Sequence, residues 1–336
     1  MRILILGGTI FLGRHLVTAA IGRGHDVTIF HRGKHPLADP TPGIHEILGD
    51  RTDSLDPLMA QTWDAIIDTS GYLPRVVQAN AEALQHAASH YIFVSSISVY
   101  PLTIPPNSDE SFPALPLGEL SSEELTDENY GPLKALCEQA VQSVFGEGAT
   151  IVRPGLIVGP HDPTYRFTYW VERMNRGGEV LAPVGPDEPV QFIDARDLAE
   201  WIVHLAEHST GGVFNATGPD YPLTLGQVLD TARAVTGSDA SVTWVSEDFL
   251  TAHQVEAWSD LPIWVPQSTI PGFLRVDCRK AQNAGLNFRP LSNTVQSTLD
   301  WALAHPRSES ITAGLAGVRE QDLLKAWHAQ AETRRP

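Results

Sequence analysis

Short unbroken apolar runs recur through the first half of the chain, at residues 3–6, 27–30, 44–48, 65–68, 91–94 and 150–152. Continuous runs of this length predict parallel strands covered on both faces. Between them apolar residues return every three or four positions. Leu12, Leu16, Ala19 and Ala20 share one helical face, and helices are expected at 74–88 and 130–145. Alternating strands and helices predict a doubly wound parallel sheet.

The pattern loosens after residue 159. Prolines and glycines cluster at 159–163 and 183–189. Strands are expected at 190–193 and 213–216, helices at 194–208 and 223–235, a small α/β unit at 242–258, and a last helix at 294–304. Asp194 reads as a helix N-cap. The resulting division places a dinucleotide-binding domain at 1–160, with 190–235 packing back on it. Residues 161–189 and 236–330 are left for a smaller, interleaved C-terminal substrate domain.

Composition narrows the classes. The 336 residues are 42% hydrophobic and 19% charged, which excludes a disordered or repetitive chain. The formal charge of −17 repels phosphate backbones, so nucleic acid is not an expected partner. No apolar run reaches ~18 residues, so no membrane span is expected. Two scattered cysteines, Cys137 and Cys278, form no disulfide framework and suit a reducing cytoplasm. The thirteen histidines are read as forming no His-x-x-x-His or His-Glu-x-x-His pattern, so no metal site is expected.

Candidate chemistry begins where the first strand ends. Gly7-Gly8-Thr9-Ile10-Phe11-Leu12-Gly13 joins a strand to a helix. Glycines there let the backbone approach a pyrophosphate, and the helix end supplies N–H donors. The second strand ends at His31-Arg32-Gly33-Lys34 rather than at an acid. A guanidinium in that place pairs with a 2′-phosphate, which favours NADP over NAD; Arg14 is a possible second contact. Asp50 and Arg51 are placed to flank the adenine. Asp68, Thr69, Ser70 and Gly71 are placed near the ribose and phosphates.

Tyr130 and Lys134 stand four apart, on one helical face. Pro132 between them predicts that the motif opens a helix. A nearby ammonium is expected to lower the tyrosine pKa and ready it for proton exchange with a substrate oxygen. Ser95-Ser96-Ile97-Ser98-Val99-Tyr100 follows the fifth strand and offers a hydroxyl to the same oxygen.

Together, GGTIFLG at 7–13, Gly49-Asp50, SSISVY at 95–100, YGPLK at 130–134, RPGLIVGP at 153–160 and FIDARDLA at 192–199 resemble the extended short-chain dehydrogenases/reductases, in the NAD-dependent epimerase/dehydratase group. The resemblance reaches about residue 306 and is most similar to reductase-like members related to chloroplast stem-loop-binding proteins. It implies a Rossmann fold, a catalytic Ser96, Tyr130 and Lys134, a cofactor contact at Pro154, and a homodimer. Family dehydratases carry Asp-Glu after the active-site serine or threonine, where this chain has Ile97 and Ser98. Nucleotide-sugar epimerases usually carry an arginine where this chain has Val190.

The expected activity is therefore hydride transfer at a secondary alcohol or ketone of a sugar-like or other small substrate. A nucleotide-sugar epimerase is the enzymatic alternative, and a non-catalytic NADP sensor or RNA-binding protein the alternative of another class. His161, Arg166 and Tyr169 are candidate substrate contacts, with Trp170 beside them.

Overall fold

The apolar runs become strands in a computed structural model that describes residues 1–35, 43–115, 124–305 and 313–333. The strands are β1 (Arg2–Leu6), β2 (Asp26–His31), β3 (Ile44–Leu48), β4 (Ala65–Asp68), β5 (Tyr91–Val94), β6 (Ala149–Pro154), β7 (Leu156–Val158), β8 (Glu179–Pro183), β9 (Pro189–Asp194), β10 (Gly212–Ala216), β11 (Gly218–Thr224) and β12 (Ser241–Val245). The helices are α1 (Leu12–Gly22), α2 (Asp56–Met59), α3 (Pro74–Leu84), α4 (Asp127–Phe145), α5 (Arg166–Asn175), α6 (Ala195–Glu207), α7 (Leu225–Thr236), α8 (Glu247–Ala252), α9 (Arg279–Asn283), α10 (Leu291–Ala304) and α11 (Gly317–Thr333).

Seven strands form one parallel sheet in the order β10-β6-β5-β4-β1-β2-β3. The order reverses between β1 and β4, which opens a crevice at the C-terminal ends of the strands. The two-residue period of a strand divides β1 between two layers. Ile3 and Ile5 pack with α1 and α6, while Leu4 and Leu6 pack on the other face with residues of α3 and α4. All four are essentially fully buried. Burying each stabilises the fold by about 1.5–3 kcal/mol.

A second core gathers α5, α7, α8, α10 and α11 around the small sheets β11-β9-β7 and β12-β8. Its division of the chain departs from a single block at 190–235. Strand β10 and helix α6 join the large sheet, but α7 packs against α5 and α10.

Other departures have local causes. The run at 44–48 is an edge strand paired only with β2, and Leu48 is 65% exposed. Helix α4 starts a turn before Tyr130, capped by Thr126, whose Oγ1 accepts from Asn129 N–H at 3.2 Å. Pro132 thus sits in the second turn, opposite the Glu128 carbonyl on the exposed face. Helix α3 stops at Leu84, and α8 ends at Ala252, well before Trp258.

Candidate active site

The phosphate-type loop owes its shape to three glycines with separate tasks. Gly7 and Gly8 have φ of 108° and 97°, a region L-residues rarely enter. A β-carbon on Gly8 would lie 2.8 Å from Ile29, and one on Gly13 would lie 2.6 Å from the Gly8 backbone. Gly13 therefore lets α1 dock on β1. No side chain caps α1, so its N-terminal dipole faces the crevice. Arg14 braces the loop by donating to the Thr9 carbonyl at 2.8 Å.

The crevice is a cavity of about 830 Å³. All of residues 7–13 line it, with His31, Arg32, Asp50, Arg51, Thr69, Ser70, Ser96, Tyr130, Lys134 and Pro154. Gly71 does not; its carbonyl accepts from Lys134 behind the wall. Lys34 and His35 extend the basic rim beside Arg32. His31 turns back into the fold, where its Nδ1 accepts from Gly33 N–H. Arg51 is committed to a bidentate pair with buried Asp68 at 2.7–2.8 Å, and also donates to Asn80 and Ser70. Burial alone would raise the Asp68 carboxyl, but the Arg51 charge holds it below the usual range. This pair forms the floor of the crevice, with Tyr91 donating to the same carboxylate.

At the other end α4 meets the short turn 97–99. Gly131 makes the approach possible, because a β-carbon there would collide with the Ser98 carbonyl. Ser96 caps that turn by accepting from Ser98 N–H at 3.0 Å, and its hydroxyl lies against the Tyr130 phenol. Lys134 is buried and donates to the Gly71 and Val94 carbonyls at 2.8 and 2.7 Å.

Burial corrects the expected electrostatics. The phenol of Tyr130 is pushed up to about 12, by burial first and by Tyr72 second. Burial brings Lys134 down to about 8. At neutral pH Tyr130 holds its proton and is a donor. Tyr72, whose ring lies 6.5 Å from that of Tyr130, lines the same end. Sequence reasoning missed it; its only signal is its place just after Gly71.

Under the serine turn runs a buried polar chain. Ser95 donates to Glu138 at 2.5 Å, and Glu138 accepts a bidentate pair from Arg153 at 2.6–2.9 Å. Arg153 donates to the Tyr100 hydroxyl, which donates to Asn215 at 2.9 Å. Asn215 donates onward to Glu110 and to the Asp277 carbonyl.

The substrate candidates scatter. His161 does not line the cavity but packs among His15, Trp301 and His305. Burial, then His15, Arg14 and His305, lower it to about 4. Tyr169 and Trp170 lie in the second core, fully covered. Arg166 stacks on Trp258 at 5.1 Å, within the field of Asp162 and Asp127, and has no carboxylate within ion-pair distance among the described residues. Like His161, Arg166 does not line the crevice, although Asp127 at the start of α4 is close enough to act on its charge. The histidine reading also needs correction. His204 and His208 do stand at the His-x-x-x-His spacing, on α6 and its C-cap, with Glu207 between them.

Residues 3–217 match the model of the NAD dependent epimerase/dehydratase family. The chain is 30% identical over 237 residues to the chloroplast stem-loop binding protein of 41 kDa b of Arabidopsis thaliana, covering 66% of this chain and 59% of that protein. It is 27% identical over 225 residues to a 2-alkyl-3-oxoalkanoate reductase of Stenotrophomonas maltophilia, covering 61% and 66%. The chain thus spans less than two thirds of the length of either relative. Among solved structures, UDP-glucuronic acid 4-epimerase from Bacillus cereus in complex with NAD superposes with a TM-score of 0.67 at 17% identity, over 91% of this chain and all of that one. An epimerase-like protein of Burkholderia cenocepacia gives 0.68 at 20%, over 90% and 98%. At these identities the likeness shows the fold. Among the described residues no helix is long and apolar enough to cross a membrane.

Proposed function

The chain belongs to the NAD-dependent epimerase/dehydratase family, and from that premise we propose that it is an NADP-linked oxidoreductase that reduces a carbonyl of a small substrate bearing an anionic group. One observation carries the reading. Ser96, Tyr130 and Lys134 converge at one end of a cavity whose other end is rimmed by Arg32, Lys34 and His35. The cavity volume suits a nucleotide and a small substrate. The glycine cradle suits a pyrophosphate, since a β-carbon at Gly8 or Gly13 would collide with the fold. Arg32, exposed on that rim, suits a 2′-phosphate.

A bound nicotinamide dinucleotide supplies the hydride that reaches the substrate carbon. Tyr130 then gives its phenolic proton to the substrate oxygen, as its raised pKa allows. Ser96 turns its hydroxyl hydrogen from Ser98 Oγ to the same oxygen. Lys134 spends two of its three N–H donors on Gly71 and Val94, leaving the third for a ribose hydroxyl. The phenolate left on Tyr130 is reprotonated by solvent. Arg166, over the Trp258 ring and near the start of α4, is the cation proposed to hold the substrate anion once the substrate is bound. Stem-loop binding, the property in the plant relative's name, would be a nucleic-acid interaction, and the charge of −17 opposes it.

The test starts with protein as purified. Any nucleotide is released by denaturation and identified by mass, and the emptied protein is titrated with NADPH and NADH by fluorescence. An exchangeable site that prefers NADPH is expected. Tightly retained NAD would instead support an epimerase that oxidises and re-reduces one carbon. Failure to bind either nucleotide would overturn the enzymatic reading.

A further inference from the structure

We infer that the last turn of α6 is a binding site for one divalent ion of the zinc or cobalt class, held by His204, Glu207 and His208 and independent of the cofactor crevice. Positions i, i+3 and i+4 share one helical face, and one ligand atom from each of the three residues lies within 4.8 Å of the others. Metal–ligand bonds of ~2.0–2.2 Å put the ligand atoms of a tetrahedral site ~3.3–3.6 Å apart, so the set has to close by about 1 Å. Small side-chain rotations are enough to close the set.

The hydrogen bonds already dispose these groups as ligands. His208 Nδ1 lies 2.9 Å from the His204 carbonyl, which can only accept. The proton is therefore on Nδ1, and Nε2 presents its lone pair. A ligating histidine is oriented in this way, with its other nitrogen donating to a carbonyl. Glu207 receives Arg23 on Oε2 at 2.6 Å and His25 on Oε1 at 2.8 Å. Arg23 retains Oε2 as an outer partner, while Oε1 passes from His25 to the ion. The carbonyls at the end of α6 add a negative dipole that favours a cation. Two imidazoles and a carboxylate suit zinc, cobalt or nickel better than magnesium or calcium.

The place in the fold limits what the ion does. Arg23 and His25 flank the link from α1 to β2, at the N-terminal ends of the strands and opposite the crevice. An ion here is held from α6 alone, beside the face on which α1 packs. Its effect is on stability and not on turnover.

The full chain, stripped with a chelator, is titrated with Co²⁺ while visible d–d absorption is followed, and with Zn²⁺ by calorimetry. One ion per chain is expected, with a rise in Tm on Zn²⁺ saturation. His208→Ala should abolish both, and Glu207→Gln should weaken binding by ~10-fold or more. His208 is exposed, and folding of each variant is checked by its nucleotide titration at the far end of the sheet. Equal binding by wild type and His208→Ala, or no stoichiometric binding by wild type, would overturn the site. Neither result touches the reductase reading, which stands or falls on the nucleotide titration.

Discussion

The cofactor end of the crevice and the substrate side are built by opposite means. The first rests on regular strand ends and on glycines whose missing side chains make room. The second is irregular. His161, Tyr165, Val184, Gln254, Trp258 and Ile263, none of them glycine, have φ between 56° and 68° except where Gln254 reaches 54°. Such conformations persist only when surrounding packing enforces them. The geometry of the glycine loop is thus set largely by missing side chains, and that of the second region by side-chain packing.

The comparison breaks most sharply at Tyr130. Tyr130→Phe removes the proton donor and should cut kcat/KM by about 10²–10⁴-fold while NADPH still binds, as steady-state kinetics and fluorescence titration will show. Gly131→Ala tests docking by absence: its β-carbon meets the Ser98 carbonyl, so a loss of ~1–3 kcal/mol in denaturant unfolding is expected, with slower turnover. Arg32→Ala should weaken NADPH by about 10–100-fold and leave NADH nearly unchanged, the range for a hydrogen bond to a charged group. On the substrate side, Arg166→Gln should raise KM for anionic substrates by about 10-fold and spare neutral ones.

The smallest effect is a pH dependence. His161 is held at about 4, against an ordinary value near 6.5. The unfolded chain takes up that proton first, so the stability tied to the neutral ring is full above pH 6.5 and is lost as pH falls toward 4. Buried Asp162, raised to about 6, works in the opposite sense. The difference between wild type and His161→Gln isolates the histidine. The wild-type Tm should fall by ~1–2 °C more between pH 7 and 5 than that of the variant. A Tm difference that does not change with pH would sink the idea.

Much of the fold was legible because parallel strands covered on both faces leave continuous apolar runs. The exception is instructive: 44–48 reads as buried, yet β3 is an edge, since a run of apolar residues does not say how many neighbours it has. The N-terminus of α4 was legible too, in Thr126 followed by Asp127 and Glu128, but Pro132 drew the boundary inward. The state of Tyr130 was not. It depends on burial under distant parts of the chain and on Tyr72, far from it in sequence. The histidines of α6 were in plain view at 204 and 208, hidden only by an amphipathic pattern that accounts for the same helix.

The polar chain from Ser95 through Glu138, Arg153, Tyr100 and Asn215 has a consequence for anyone recombining this molecule. It ends on Glu110 and on the Asp277 carbonyl, so the serine turn at 95–98 is wired to a segment far along the polypeptide. A hybrid that joins this chain to a relative anywhere between 215 and 277 inherits the two ends from different parents. Grafting a new specificity onto this scaffold therefore calls for crossovers that keep Glu110 and Asn215 together and hold the backbone at residue 277 in place, since any residue there supplies the carbonyl.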